Sequence, residues 1–248
     1  MYITDEGIRL NARLDYPEEE LDRFPLVIFV HGITGDIEER HIRGIAGAMN
    51  RAGFGTLRVD LYGHGKSQGS FRDHDILKWV HNIVSVMDRA KQLDFVTDLY
   101  LCGHSQGGLA VMLAAAERPE SLAGLILLSP AWMIPTTVRE GSLLGHNFDP
   151  ERLPEELVLD ESHAVGRNYL ETAKAIHPEA AMEAYRGPVL LVHGEADETV
   201  PLKWSALAKA RYRNATLCVI DDDTHCYDVN LEEVERVVTK WLRSGLLN

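Results

Sequence analysis

Apolar and polar positions along the chain follow two rhythms. Ile8-Arg9-Leu10-Asn11-Ala12-Arg13-Leu14 alternates with period two, as a half-buried antiparallel strand does. Apolar-rich runs then recur at Pro25 to Val30, Thr56 to Val59, Leu99 to Cys102, Leu125 to Leu128, Val189 to Val192 and Leu217 to Ile220. Runs of this kind suit strands covered on both faces. Helical stretches fall between them: His41 to Ala52, Ile76 to Leu93, Gly108 to Glu117, Leu202 to Arg211 and Leu231 to Leu242. In the second, Ile76, Trp79, Val80, Ile83, Val84, Met87 and Ala90 make one apolar stripe at helical spacing. Strands alternating with helices predict an α/β protein with a mostly parallel central sheet flanked by helices. Its functional loops are then expected at the carboxyl ends of the strands.

One stretch breaks the alternation. From Ala131 to Arg186 no buried-strand run occurs, and Pro135, Pro150, Pro154 and Pro178 punctuate it. That is too long for a plain connection in a compact domain. It predicts an inserted lid over 131–186, partly helical around Asn168 to Ile176, with the core formed by 1–130 and 187–248.

Composition narrows the partners. The 248 residues carry a net charge of −13, with 45% hydrophobic and 25% charged residues. Such a surface repels nucleic-acid phosphates and anionic lipid, so neither nucleic acid nor a membrane is an expected partner. The first residues show no basic and apolar leader, and no apolar run approaches the length of a membrane span. The three cysteines, Cys102, Cys218 and Cys226, are odd in number and scattered, as in a reduced, cytoplasmic protein.

The candidate chemistry lies at strand ends. Gly103-His104-Ser105-Gln106-Gly107 fits G-x-S-x-G, directly after one strand and directly before a helix. A nucleophile elbow requires that setting, because its glycines allow a sharp turn that lifts the serine hydroxyl above the sheet. Ser105 is therefore the expected nucleophile. Of 11 histidines, His225 follows the last strand in the loop Asp221-Asp222-Asp223-Thr224-His225-Cys226, which makes it the expected base. His31, His64, His104 and His193 read as hydrogen-bonded structural groups, and Asp221 to Asp223 as residues that solvate the loop. Asp197, in the turn after Val189 to Val192, is the expected orienter, with Glu195 and Glu198 as neighbouring competitors. The strand before it ends in Leu128-Ser129-Pro130 and offers no carboxylate. The backbone N–H groups of Gln106 and of Ile33, in His31-Gly32-Ile33-Thr34-Gly35, are the expected oxyanion donors.

Other motifs fail. Gly65-Lys66-Ser67 has Asp60 where a phosphate loop needs glycine, and Gly63-His64-Gly65 has Gln68 where a dinucleotide fingerprint needs one. No HExxH and no His/Cys cluster at zinc spacing is present in the sequence, so neither a metal nor a cofactor is expected.

With these residues in view, the chain resembles the cinnamoyl (feruloyl) esterases of the α/β-hydrolase superfamily. The likeness runs nearly end to end through His31 to Gly35, Asp60-Leu61-Tyr62-Gly63-His64-Gly65-Lys66-Ser67, Gly103 to Gly108, His193-Gly194-Glu195-Ala196-Asp197 and Asp223-Thr224-His225-Cys226-Tyr227-Asp228. Gly-His-Ser-Gln-Gly-Gly together with Thr-His-Cys-Tyr-Asp is the more particular part. Relatives often carry Phe where this chain has Ile33; the backbone donor survives that change and an aromatic wall does not. The resemblance implies an α/β-hydrolase fold with a lid after the sixth strand. It also implies hydrolysis of esters of hydroxycinnamic acids such as ferulate and p-coumarate. Trp132 and Tyr169 are then candidate contacts for a phenolic ring. The expected partner is a small aromatic ester, with self-association left open. The competing readings are another acyl hydrolase (monoglyceride lipase, thioesterase or peptidase) and a non-catalytic ligand-binding relative.

Overall fold

The computed structural model describes residues 1–245. In chain order its elements are β1 (Tyr2–Asp5), β2 (Ile8–Asp15), β3 (Phe24–Val30), α1 (Arg40–Arg51), β4 (Gly55–Val59), α2 (Ile76–Ala90), β5 (Val96–His104), α3 (Gln106–Glu117) and β6 (Gly124–Leu128). After β6 come α4 (Ile134–Arg139), the small pairs β7 (Ser142–Leu143) with β8 (His146–Asn147) and β9 (Glu156–Val158) with β10 (Ala164–Gly166), then α5 (Arg167–Ala175) and α6 (Pro178–Ala184). The chain closes with β11 (Val189–Gly194), α7 (Lys203–Arg211), β12 (Ala215–Ile220) and α8 (Leu231–Gly245).

The main sheet has the order β1-β2-β4-β3-β5-β6-β11-β12. Its β1–β2 and β2–β4 pairs are antiparallel, and every pair from β4 onward is parallel. This is the expected α/β-hydrolase fold. Period two explains the unbroken burial of its central strands. Along β3, Leu26, Ile28 and Val30 face a core with Trp79, Ile83 and Met87 of α2 and Leu109 and Met112 of α3. The alternate residues Val27 and Phe29 face the other layer, with Ile42, Ile45 and Met49 of α1 and Val234, Val238 and Leu242 of α8. Each such fully buried side chain contributes about 1.5–3 kcal/mol.

Two features differ from the sequence pattern. β1 is an additional edge strand, docked by its ladder with β2, by one buried apolar side chain, Ile3, and by a buried carboxylate rather than by an apolar run. Asp5 accepts from Asn82 Nδ2 (2.6 Å) and Ser85 Oγ (2.7 Å) on α2. The stretch after β6 also contains strands, but they are only two or three residues long, too short for alternation to register. Its last helix, α6, packs on α3 and α7, whereas α5 packs on α2 and α4.

Glycine determines how closely the sheet and α3 meet. A Cβ on Gly107 would run into the carbonyl oxygen of His31, and one on Gly103 into that of Gly107. The end of β3 therefore abuts the first turn of α3 with no room for a methyl group. Gly107→Ala should destabilise the fold by about 1–3 kcal/mol through forced displacement of backbone and reduce turnover with it. Thermal unfolding and turnover measured on one preparation check this, and near-native values for both would contradict it.

Candidate active site

Ser105 sits between β5 and α3 with φ 54° and ψ −122°, a left-handed conformation for a residue with a Cβ. Holding it there costs about 1–3 kcal/mol, and neighbouring hydrogen bonds keep it in place. Its N–H donates to Leu128 O (2.9 Å), and its carbonyl accepts from Ala131 N–H (2.9 Å) and Leu109 N–H (3.3 Å).

Asp197 follows β11, and its carboxylate is wholly enclosed. Oδ1 accepts the N–H groups of Thr199 (2.9 Å) and Val200 (2.8 Å), while Oδ2 lies 2.7 Å from His225 Nδ1 and 3.2 Å from His193 Nε2. Burial alone would raise its pKa. The bonds from His193, His225 and Val200 outweigh burial and hold Asp197 well below the ordinary carboxylate range. An ionised Oδ2 requires the proton of His225 on Nδ1, which leaves the Nε2 lone pair free as a base. His193 is held in turn, its Nδ1 2.7 Å from Ser205 Oγ and its Nε2 2.8 Å from Val200 O. With Ser205 donating to Nδ1, the Nε2–H is shared between Val200 O and Asp197.

The loop carrying His225 corrects one expectation. Asp223, taken as a solvating residue, is fully buried. Its carboxylate accepts the N–H groups of Thr224 (2.8 Å), Val229 (3.1 Å) and Asn230 (3.1 Å), which folds the loop between β12 and α8. His104 Nε2 meets His225 O at 2.9 Å, with the two rings 4.7 Å apart, so the residue before Ser105 supports His225. Among the described residues no hydrogen bond joins Ser105 Oγ to His225 Nε2. Such contacts are often long in unliganded enzymes and tighten when substrate binds.

The expected oxyanion donors lie on either side of Ser105. A Cβ on Gly32 would sit 3.3 Å from Ser105 Cβ, which places the His31–Gly35 turn against the nucleophile. Neither Ile33 N–H nor Gln106 N–H has an acceptor among the described residues. The peptide that carries the Ile33 N–H is held through its carbonyl, Gly32 O, which accepts from His31 Nδ1–H (2.7 Å) and Gly35 N–H (3.2 Å).

Trp132 and Tyr169 are both buried, and their polar atoms are engaged within the protein. Trp132 Nε1 donates to Trp204 O (2.8 Å), and its ring meets Trp204 edge-to-face at 4.8 Å. Tyr169 Oη donates to Gln106 Oε1 at 2.6 Å, beside the nucleophile rather than out in the inserted stretch. A cleft of 530 Å³ opens between that stretch and the Asp197 loop, lined by Met133, Thr137, Leu144, Glu198, Pro201 and Trp204 among others.

The profile of the serine aminopeptidase S33 family matches residues 23–155, more than half the chain and including Ser105. The chain belongs to this family of α/β-hydrolases. A second profile, described as TAP-like protein, matches residues 168–248, which include Asp197 and His225. Among solved structures, Est1E from Butyrivibrio proteoclasticus with ferulic acid bound superposes at a TM-score of 0.98 with 48% identity, covering 100% of both chains. Mouse alpha/beta hydrolase domain-containing protein 10 shares the fold at a TM-score of 0.76 and 17% identity, covering 98% of each chain. The mitochondrial palmitoyl-protein thioesterase ABHD10 of Rattus norvegicus is 24% identical over 71% of this chain, and the match spans 60% of that protein. The resemblance to cinnamoyl esterases thus rests on a full-length likeness and not on motifs alone.

Sequence reasoning passed over His193 and Asp223 as site-shaping groups. Both are polar residues at strand ends, and nothing in the local pattern says that they are fully enclosed.

Two predictions follow from these electrostatics. Asp197→Asn removes the charge that fixes the His225 tautomer and should lower kcat by about 10³-fold or more. The exposed Glu195→Gln should change it less than about threefold; steady-state kinetics on the two variants separates them, and equal effects would remove Asp197 from its role. The second concerns acid stability. Burial holds His31 and His74 down to about 3 and His41 to about 4, and lowers His64 and His104 as well. Below the ordinary histidine pKa of about 6.5 the unfolded chain binds protons that these sites refuse, so stability falls with pH by up to about 1.4 kcal/mol per unit for each. Glu39, raised to about 7 by burial, and Glu235, raised by burial as well, oppose with two groups against five. Denaturant titrations between pH 7 and about pH 4.5 should show a steep loss, and a flat profile would contradict it.

Proposed function

We propose that this chain is a serine carboxylesterase that releases hydroxycinnamic acids from small esters. The observation that carries the chemistry is the buried, ionised Asp197 paired with His225 Nδ1 at 2.7 Å, beside a serine held at positive φ. A binding module has no use for a base with its own orienter. In this mechanism His225 Nε2 takes the proton of Ser105 Oγ as the oxygen attacks the ester carbonyl. The N–H groups of Ile33 and Gln106 receive the oxyanion, where α3 adds the positive end of its dipole. His225 then protonates the departing alcohol. Water, activated in the same way, attacks the acyl-enzyme and releases the acid.

The substrate class rests on the full-length likeness to Est1E, which is 48% identical and is known with ferulic acid bound. The cleft beside the Asp197 loop, which Ser105 and His225 do not line, has the size of a small-molecule site. Residues 131–186 act in this reading as the lid that selects among acyl groups, and the three free cysteines fit a reducing, cytoplasmic setting. Tyr169 takes part by holding the Gln106 side chain, and Trp132 by packing the lid base against Trp204.

Methyl ferulate and methyl p-coumarate should therefore be turned over with higher kcat/KM than medium-chain acylglycerols or acyl thioesters, and Ser105→Ala should abolish all of it. A tenfold preference for either of the other classes would move the assignment to a lipase or a thioesterase. Tyr169→Phe leaves Gln106 Oε1 without its donor, at a cost of about 1–3 kcal/mol. It should lower kcat for methyl ferulate and for methyl cinnamate by the same factor. A loss confined to ferulate would instead make Tyr169 a contact of the phenol.

A further inference from the structure

Behind the catalytic histidine, three side chains from three separate elements converge without bonding one another. They are His41 in the first turn of α1, His104 at the end of β5, and Cys226 in the loop before α8. One nitrogen of each imidazole and the Cys226 sulfur all lie within 4.8 Å of one another. The imidazoles are buried to 3% and 2% exposure, and among the described residues neither His41 Nε2 nor His104 Nδ1 has a hydrogen-bond partner. A buried nitrogen left unpaired costs about 1–3 kcal/mol. Two such nitrogens, on imidazoles that each bring one nitrogen within 4.8 Å of a thiol, call for a shared ligand.

We propose that His41 Nε2, His104 Nδ1 and Cys226 Sγ form a binding site for a zinc-class transition-metal ion, and that the bound ion restrains the catalytic loop. The donors are two imidazoles and one thiolate, the set that borderline-soft divalent ions prefer over magnesium or calcium. Zinc at about 2.0–2.3 Å from each donor spaces them by about 3.3–3.7 Å when tetrahedral. Closing from 4.8 Å asks for about 1 Å of side-chain movement. Water completes the fourth position, since Cys226 is only half-buried and leaves an approach from solvent.

The outer contacts are already built. A metal-bound histidine typically donates its second N–H to a carbonyl, and His104 Nε2 stands 2.9 Å from His225 O. Metal on Nδ1 and a proton on Nε2 are the same tautomer, so ligation needs no rearrangement of that bond. Glu39, Asp228 and Asp197 lie near enough to act on the Cys226 thiol, which burial foremost and these carboxylates next push up to about 11. Binding must therefore displace the thiol proton to solvent, and metal and proton compete for Cys226.

Cys226 and His104 are the chain neighbours of His225 and Ser105, so an ion that draws them together pulls on both reacting residues. The binding does not depend on the esterase reading; the loss of turnover does. The test uses the full-length protein stripped with EDTA and titrated with ZnCl₂ or CoCl₂. The wild type should take up one zinc per chain and show a thiolate-to-cobalt charge-transfer band. Cys226→Ser should lose the band. His41→Phe, which keeps a ring against His104, should weaken zinc binding at least about tenfold, and Cys218→Ser should leave both intact. Absence of the band at saturating cobalt, or zinc affinity unchanged in both Cys226→Ser and His41→Phe, overturns the site. In the same samples zinc should suppress hydrolysis of methyl ferulate in the wild type, reversibly with EDTA, and not in Cys226→Ser. Zinc bound at the site with turnover unchanged overturns the restraint on the catalytic loop. A chain that binds metal as described yet hydrolyses no ester at any zinc level overturns the esterase reading and leaves the site standing.

Discussion

The site depends on a buried carboxylate that stays charged. Taking an ionised carboxyl out of water costs several kcal/mol unless donors replace its solvation. Asp197 has four, two backbone N–H groups and two imidazoles. Much of the surrounding architecture serves that one group. The turn after β11 supplies Thr199 and Val200, and His193 is fixed by Ser205 and Val200 so that it can donate from Nε2. Asp223, by gathering three N–H groups of its own, folds the loop that delivers His225. If Asp197 were neutral, the proton of His225 would have no fixed side, and Ser105 would face a base in the wrong tautomer.

A second constraint is steric. Ser105 occupies a conformation that a residue with a Cβ rarely adopts, and it is held there because β3, β5 and α3 meet with no spare volume at Gly103 and Gly107. The same crowding brings the His31–Gly35 turn against Ser105 and the first turn of α3. Tyr169 extends this brace from α5 to Gln106, so the stretch after β6 is tied to the residue that follows Ser105.

Much of this was legible in the sequence. The parallel strands are apolar-rich runs, and Ser105, Asp197 and His225, the proposed triad, follow β5, β11 and β12 in that chain order. What was not legible depends on enclosure. Asp223 reads as one of three loop aspartates, and only the packing of β12 against α8 distinguishes it from Asp221 and Asp222. β1 is docked in part by the buried Asp5, a residue that pattern reasoning assigns to solvent. Tyr169 suggests a ligand contact by its type and place in the lid, yet its hydroxyl reaches Gln106. His41, His104 and Cys226 are scattered through the sequence, so no spacing rule for metal sites could bring them together.

The claim on which the account rests is that Ser105 becomes acylated by a hydroxycinnamoyl group. The most direct measurement is intact-mass and peptide analysis of enzyme quenched during turnover of an activated ferulate ester. A feruloyl adduct is expected on the peptide containing Ser105, accumulating in wild type and in enzyme slowed at deacylation, and absent from Ser105→Ala. An adduct on another residue, or full turnover with no adduct in any quench, would contradict it.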